Sequence, residues 1–231
     1  ESKKGELNDS YKAKLALEAF QHTADYDTAI TNWIRKERGL QSSQYIESYP
    51  LIKTLRYGEN PHQKAFWYGL SNIGWNSAEQ LQGKDLSYNN YNDIFACLDL
   101  LNTLPKNKGV VVVKHANPSG VSIEKDKLQS YISAKSCDPI SSFGGIVACN
   151  YKLNLKVAKE IIKNYYEVII ANGFDKKVIK LFKSKKNLRL IDSSKIVINE
   201  KNKIFSGLDS YLMQNNDSLI FNNKNFKIVS K

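Results

Sequence analysis

Residues 110–113 are four consecutive valines, and this run constrains the fold of the chain more than any other feature. β-branched side chains favour extended backbone, and an unbroken run of them is typical of a strand covered on both faces. Lys114 and His115 follow at once, and the Asn-Pro-Ser-Gly segment at 117–120 predicts a turn. In open α/β sheets, ligands bind just beyond the carboxyl ends of strands. The sequence therefore predicts a central strand that delivers a lysine and a histidine to a ligand site.

Lys114 and His115 form a candidate catalytic pair. Histidine is the commonest general acid or base, and the neighbouring lysine supplies a fixed positive charge. Together they suit a reaction that removes a proton while negative charge builds on an oxygen. A Lys-His dipeptide also occurs at strand ends with no chemical role, so the pair alone leaves both interpretations open.

Strand and helix patterns alternate between residues 40 and 200. Strand-like runs are predicted at 64–68, 110–113, 146–149, 168–171 and 188–191, with helical runs at 93–104, 125–136, 155–165 and 176–185. This alternation predicts a mainly parallel sheet covered on both faces.

The two ends of the chain differ from this middle part. Residues 11–38 carry apolar stripes at helical spacing, with Asp25 or Asp27 as a cap for a second helical segment and Gly39 as the end. From Ile196 onward, short strands and polar turns are predicted. Because the chain opens at Glu1 rather than Met, we expect it to be a piece of a longer protein.

The charge and the cysteines restrict the class of protein. The net charge is +11, but it comes from 30 lysines and only four arginines, whereas bidentate recognition of bases and phosphates favours arginine. The scattered lysines predict solvated faces and a long-range attraction for anionic substrates. No apolar run reaches membrane-spanning length, and the three cysteines, at 97, 137 and 149, have no metal-site spacing. We expect a reducing, cytoplasmic setting.

Arg56 lies in a turn-rich segment that suits a phosphate site. A guanidinium grips a phosphate through two parallel hydrogen bonds, although pairing with Glu59 is the alternative. Asn89 or Asn90 offers both a donor and an acceptor to a carboxamide or ribose. A helix N-cap is the competing role, for which Asn90, Asn92 and Asp93 are the candidates.

Two more segments adjoin predicted strands. The small residues at 141–145 include Phe143 and Gly144, and such a segment can expose N–H groups to an anion or present a ring for stacking. Glu167 precedes the strand at 168–171, where a carboxylate can accept from ribose hydroxyls or form a surface ion pair.

Taken together and in this order, these motifs resemble the family of bifunctional purine-biosynthesis enzymes. That family formylates aminoimidazole carboxamide ribonucleotide with 10-formyltetrahydrofolate and closes the product to inosine monophosphate. The resemblance spans nearly all of residues 11–231. It implies that His115 is the general base and Lys114 the oxyanion partner, with nucleotide contacts from Arg56, Tyr57, Asn89, Gly144 and Glu167.

The resemblance also implies an architecture. We expect α/β, a three-layer α/β/α sandwich resembling cytidine deaminase, with an N-terminal helical appendage. Residues 1–39 would be the helical end of the cyclohydrolase domain and a linker, 40–200 the first deaminase-like unit of the transformylase domain, and 201–231 a connecting segment toward a second unit.

The same resemblance predicts the ligands and partners. The zinc signature of the deaminases is absent from the sequence, so we expect no catalytic metal. The family implies a homodimer acting on nucleotide and folate substrates in the cytoplasm, with no nucleic acid and no membrane as partner. Two other functions stay open, a non-catalytic nucleotide-binding deaminase-like domain and a basic nucleic-acid-binding module.

Overall fold

The structure, a computed structural model, describes residues 7–41, 43–197 and 202–217. The chain divides into two compact units. We call Glu1–Thr54 with Phe66–Leu70 the helical unit, and Leu55–Ala65 with Ser71–Lys231 the α/β unit.

The helical unit is built on one long helix, α1 (Asp9–Arg38). Asn8 caps its start by accepting from the backbone N–H of Tyr11 at 2.8 Å, and Gly39 ends it in the left-handed conformation, as predicted. The predicted second segment capped by Asp25 or Asp27 is wrong. No glycine or proline interrupts residues 9–38, so the helix continues through both positions.

A two-stranded sheet follows α1, made of β1 (Leu51–Leu55) and β2 (Ala65–Tyr68). In the α/β unit, a short 3-10 helix at Gly74–Ser77 precedes the larger sheet. The helices there are α2 (Tyr88–Asn102), α3 (Lys127–Cys137), α4 (Leu155–Ile161) and α5 (Lys176–Phe182).

Among the described residues, six strands form the main sheet of the α/β unit. They are β3 (Glu79–Gln82), β4 (Val110–Lys114), β5 (Asn117–Ser122), β6 (Ile146–Cys149), β7 (Val168–Ala171) and β8 (Arg189–Asp192). Their order is β3-β8-β7-β6-β4-β5. The prediction of a mainly parallel sheet is wrong, because only β6–β7 and β7–β8 are parallel. β4 runs antiparallel to both of its neighbours, and β3 runs antiparallel to β8.

The valine run lies inside this sheet and separates two apolar layers. Val110 and Val112 pack toward α3, α4 and α5, whereas Val111 and Val113 pack toward α2. All four side chains are fully buried, because alternate residues of a strand point to opposite faces and both faces are covered. The predicted three-layer α/β/α arrangement is confirmed for this unit.

The turn after β4 differs from the prediction. The Asn-Pro-Ser-Gly segment belongs to strand β5, and the turn is the two-residue loop His115-Ala116 between paired Lys114 and Asn117. Both loop residues have positive φ, 52° and 56°, as a type I′ hairpin requires. Neither is the glycine or asparagine that this turn prefers, so local composition could not reveal it.

Helix α2 also starts earlier than predicted, at Tyr88 rather than Asp93. Its N-cap is Ser87, which exchanges capping hydrogen bonds with Asn90, so the expected caps at Asn90, Asn92 or Asp93 are wrong.

Toward the chain end, β9 (Asn202–Gly207) and β10 (Ser210–Asn215) pair as a hairpin, in line with the predicted short strands. Residues 198–201 and 218–231 of that region lie outside the described residues, and the assignment of ranges to enzyme domains stays a prediction.

Candidate functional site

One edge of the main sheet carries the candidate site. Four neighbouring strands, β4, β6, β7 and β8, are aligned in register at this edge through Val113, Ile146, Val168 and Arg189, one residue from each strand. Because β4 is antiparallel, its carboxyl end meets the amino ends of the other three strands at this edge. In a fully parallel sheet, Lys114 and Glu167 would lie at opposite edges. The mixed sheet is therefore what brings the predicted residues together.

A pocket of about 950 Å³ opens at this edge, entirely within the α/β unit. All the residues predicted to act in catalysis or binding line it: Arg56, Tyr57, Asn89, Lys114, His115, Gly144 and Glu167. They come from segments far apart in sequence and share one cavity of ligand-binding size.

Asp93 of α2 fixes the turn that holds the candidate base. Its Oδ1 accepts a hydrogen bond of 2.7 Å from the backbone N–H of Ala116. The left-handed conformation of His115 and Ala116 is costly for residues with a Cβ, so this contact stabilises an otherwise unfavourable turn. The imidazole of His115 is exposed at the end of a buried strand, and Lys114 is half-buried beside it.

Gly144 contributes bare backbone and lies next to two exposed aromatic rings. Its φ of +76° favours glycine, and its N–H donates to the carbonyl of Tyr165 at 2.9 Å. The N–H of Gly145 donates to Ser142, so these two groups are not offered to an anion as the sequence suggested. Instead, Phe143 packs on Tyr165 with ring centroids 5.1 Å apart, next to the pocket. The pair presents an apolar surface on which a flat ring can stack.

Glu167 is held from two sides. The Nδ2 of buried Asn90 donates to its Oε2 at 2.9 Å, and Nη1 of Arg189 lies 3.7 Å from the same oxygen. Among the described residues, nothing donates to its Oε1. One carboxylate oxygen thus anchors the side chain and leaves the other able to accept from a ligand hydroxyl.

Arg56 and Tyr57 form a stacked pair. The guanidinium carbon lies 4.8 Å from the centre of the Tyr57 ring, and Nη2 donates to the phenol oxygen at 3.1 Å. Within the described residues no carboxylate pairs with Arg56, so the alternative of an ion pair with Glu59 is not realised there. Asn89 Nδ2 donates to the carbonyl of Glu59 at 3.2 Å, which ties the first turn of α2 to this loop.

The electrostatics of the pocket favour an anion. Its described lining holds six cationic side chains: Arg56, Lys84, Lys114, Lys185, Lys186 and Arg189. The two lining carboxylates, Asp93 and Glu167, already have protein partners. Outside the pocket lining, hydrogen bonds from Ser141 hold the pKa of Asp138 below its usual value. Burial raises the pKa of Tyr166, so this lining phenol is neutral near pH 7.

The family comparison agrees with this geometry. The family model described as AICARFT/IMPCHase bienzyme matches residues 1–231. The chain belongs to this family. The resemblance that the motifs indicated is thereby confirmed at the level of the family.

Its relatives include proteins named bifunctional purine biosynthesis protein PurH. One from Prochlorococcus marinus subsp. pastoris is 53% identical over 247 residues, covering 100% of this chain and 47% of the relative. Another, from strain AS9601, is 57% identical over 211 residues, covering 87% of this chain and 41% of the relative. A third, from strain MIT 9211, is 42% identical over 238 residues, covering 98% and 46%. The chain therefore spans about half the length of these PurH relatives.

Sequence reasoning missed three residues that organise the site. The sequence predicts Asn90 only as a cap or a ligand contact and Asp93 only as a cap, and it predicts no role in the site for Arg189. Their roles are long-range, since Asn90 bonds to Glu167 and Asp93 to Ala116. One available signal was their spacing, because Asn90 and Asp93 are three residues apart and lie on one face of a helix.

The described residues show neither a metal-binding cluster nor a membrane-spanning helix. Within the described ranges 7–41, 43–197 and 202–217, no group of three or more His, Cys, Asp or Glu side chains is arranged to hold a metal ion. Of the helices that the structure describes, none is both long and apolar enough to cross a membrane.

Proposed function

We propose that the α/β unit of this AICARFT/IMPCHase family member supplies the catalytic pair and the nucleotide site for formyl transfer. The substrates would be 10-formyltetrahydrofolate and aminoimidazole carboxamide ribonucleotide, in the synthesis of inosine monophosphate. The observation that carries the proposal is the convergence of Arg56, Lys114, His115 and Glu167 on one pocket.

The chemistry follows from the roles of these groups. The 5-amino nitrogen attacks the formyl carbon, and His115 accepts the proton that the amine loses as the new C–N bond forms. Negative charge develops on the formyl oxygen, where the ammonium of Lys114 stabilises it. The bond from the formyl carbon to N10 then breaks, which releases tetrahydrofolate, and the proton returns to the leaving nitrogen.

The remaining residues would hold the nucleotide. Arg56, free of a carboxylate partner among the described residues and stacked on Tyr57, would bind the phosphate. Glu167 would accept from a ribose hydroxyl through Oε1, and Asn89 would contact a polar edge of the ligand. The heterocycle would lie at Gly144, beside the exposed Phe143–Tyr165 rings.

Other features are proposed from the family alone. The α/β unit would be the first of two cytidine-deaminase-like units, preceded by the end of a cyclohydrolase domain within a cytoplasmic homodimer. The second unit would supply most of the folate pocket, and the whole protein would also act as an IMP cyclohydrolase.

Nucleotide binding to this chain tests the proposal directly. We expect calorimetry to detect the ribonucleotide, and Arg56→Gln to weaken its binding by about 10–100-fold, the range of a lost charged hydrogen-bond pair. Binding of the riboside, which lacks the phosphate, should respond much less to the same change.

Arg38→Gln is the matched control, because Arg38 is an exposed arginine of the helical unit. If Arg56→Gln weakens the riboside and the ribonucleotide equally, Arg56 is not the phosphate ligand. Strong, salt-dependent binding to RNA in place of the ribonucleotide would favour the nucleic-acid-binding alternative.

A further inference from the structure

We propose that Asn90 is a positioning residue that makes the pocket selective for ribonucleotides over deoxyribonucleotides. It holds one oxygen of the Glu167 carboxylate, so that the other oxygen stays directed at a sugar hydroxyl. The inference rests on the proposed function, which brings Glu167 to the ribose and gives no role to Asn90.

Both ends of the Asn90 amide are used. Its Oδ1 accepts from the backbone N–H of Ser87 at 3.1 Å, which completes the capping box of α2, and its Nδ2 donates to Oε2 of Glu167 at 2.9 Å. Asn90 is only 4% exposed, so water does not compete for either hydrogen bond. A capping box needs only the acceptor, which glutamate or glutamine usually supplies. The donor end of Asn90 therefore serves Glu167 rather than the helix.

Asn90 gives Glu167 a directional contact that Arg189 does not. Nη1 of Arg189 lies 3.7 Å from Oε2, a distance that makes an ion pair but is too long for a hydrogen bond. Its Nε and Nη2 are engaged elsewhere, because both donate to the carbonyl of Asp85 at 3.2 Å. Among the described residues, no other group donates to the Glu167 carboxylate. The Asn90 hydrogen bond therefore selects the orientation of this side chain.

The backbone of Glu167 is held without Asn90. Its N–H donates to the carbonyl of Gly145 at 3.0 Å, and its carbonyl accepts from the N–H of Arg189 at 3.1 Å. These two bonds extend the pairing of β7 with its neighbours β6 and β8 by one residue. The side chain beyond this backbone is half-buried and has several rotatable bonds. Loss of the Asn90 contact therefore frees the carboxylate without moving the strand.

A carboxylate oxygen that is held in place can discriminate between sugars. Oε1 of Glu167 has no donor among the described residues, so a ribose hydroxyl can donate to it in a charge-assisted hydrogen bond. A deoxyribose leaves this oxygen unpaired, and a site built to bond a hydroxyl rejects the analogue that lacks it. A carboxylate that turns freely bonds to water instead and loses this discrimination. Selectivity therefore depends on the residue that fixes the orientation.

The test compares aminoimidazole carboxamide ribonucleotide with its 2′-deoxy and 3′-deoxy forms, by calorimetry on the 231-residue chain. We define the selectivity as the Kd of a deoxy form divided by the Kd of the ribonucleotide. For at least one deoxy form we expect a selectivity of about 10–100, the range of a lost hydrogen bond to a charged group.

Two variants of Asn90 remove the donor. Asn90→Asp keeps the acceptor for the Ser87 N–H, and Asn90→Ala removes the donor without adding a buried charge. Each should lower the selectivity by about fivefold or more, because only the ribonucleotide loses a contact. A purely structural role for Asn90 would weaken both ligands equally and leave the selectivity unchanged.

Exchanging the donor and the acceptor provides a rescue. In Asn90→Asp/Glu167→Gln, the new amide can donate to the new carboxylate while its oxygen still faces the ligand. The selectivity of this double variant should exceed that of Asn90→Asp. The matched control is Asn92→Asp, which adds the same charge at an exposed position of α2 outside the pocket lining. It should change the selectivity by less than about twofold.

The outcomes separate this inference from the proposed function. Lower selectivity in both Asn90 variants, with recovery in the double variant, supports the inference. Unchanged selectivity in either Asn90 variant, no recovery in the double variant, or an equal fall in Asn92→Asp would overturn it. A selectivity near one in the unmodified chain would also overturn it, while ribonucleotide binding would still support the proposed function. Absence of ribonucleotide binding to the unmodified chain would overturn both.

Discussion

The hydrogen bond from Ala116 N–H to Asp93 permits a quantitative prediction about the turn that carries His115. Replacing Asp93 with alanine removes the acceptor and leaves a half-buried N–H without its 2.7 Å partner. Replacing it with asparagine keeps an oxygen at the same position but removes the charge. Comparing the two variants therefore separates the contribution of the hydrogen bond from the contribution of the carboxylate's charge.

The magnitude follows from the structure. A hydrogen bond to a charged acceptor contributes about 1.5–3 kcal/mol to stability. This value already includes the cost of leaving the N–H unpaired when the acceptor is removed. The left-handed conformation of His115 and Ala116, at φ of 52° and 56°, costs about 1–2 kcal/mol per residue with or without this bond, because the two-residue hairpin between Lys114 and Asn117 imposes it. We expect Asp93→Ala to lower the free energy of unfolding by about 1.5–3 kcal/mol and Asp93→Asn by about 1 kcal/mol or less.

Thermal unfolding by circular dichroism measures the effect. For a chain of this size, about 2–4 °C are lost per kcal/mol, so Asp93→Ala should lower Tm by about 3–12 °C. Hydrogen exchange at the Ala116 amide should become faster in the same variant. Asp99→Ala is the control, because it removes an exposed carboxylate of the same helix that pairs with Lys203, worth at most about 1 kcal/mol.

If Asp93→Ala unfolds at the same temperature as the unmodified chain, the hydrogen bond from Ala116 does not stabilise the turn. If Asp93→Asn is as unstable as Asp93→Ala, the acceptor oxygen is not the stabilising feature.

Two further predictions concern the reactivity of the cysteine thiols and the loss of stability at low pH. Cys137 is exposed, whereas burial raises the pKa of Cys97, and that of Cys149 to about 12. A thiol reagent should therefore label one cysteine per native chain and three after denaturation, and two labelled native thiols would contradict the burial. Hydrogen bonds hold the pKa of Asp126 and of Asp138 below the usual 3.8. The stability they contribute is present above about pH 4 and lost as the pH falls through the lowered values. Urea midpoints between pH 6 and 2.5 should therefore fall more steeply in the unmodified chain than in Asp126→Asn/Asp138→Asn, and parallel curves would refute this.

Much of the fold could be predicted from the sequence because burial leaves a strong local signal. The valine run and the apolar runs that became β6 and β7 were recognised because both faces of those strands are covered. The direction of each strand left no such signal. Periodicity is the same for parallel and antiparallel neighbours, so the antiparallel position of β4 became evident only from the register.

The site shows the same division between local and long-range information. Chemically unusual residues such as Lys114, His115 and Arg56 could be selected by type and context, and they do line one pocket. The turn at His115-Ala116 was misplaced because its left-handed backbone depends on Asp93, which is 23 residues away from Ala116 in sequence. Partners of this kind are set by tertiary packing, which overrides local turn propensity.

The proposed function requires His115 to perform the chemistry while Arg56 holds the nucleotide. The most direct measurement compares His115→Ala with the unmodified protein, in a full-length family member carrying these residues, for both formyl-transfer rate and ribonucleotide binding. We expect kcat to fall by about 10²–10⁴-fold, the contribution of a positioned general base, while the ribonucleotide Kd changes by less than about threefold. Lys114→Ala should behave in the same way. Arg56→Ala should raise the ribonucleotide Kd by a larger factor than it lowers kcat. A His115→Ala enzyme that transfers formyl groups at the normal rate would contradict the account.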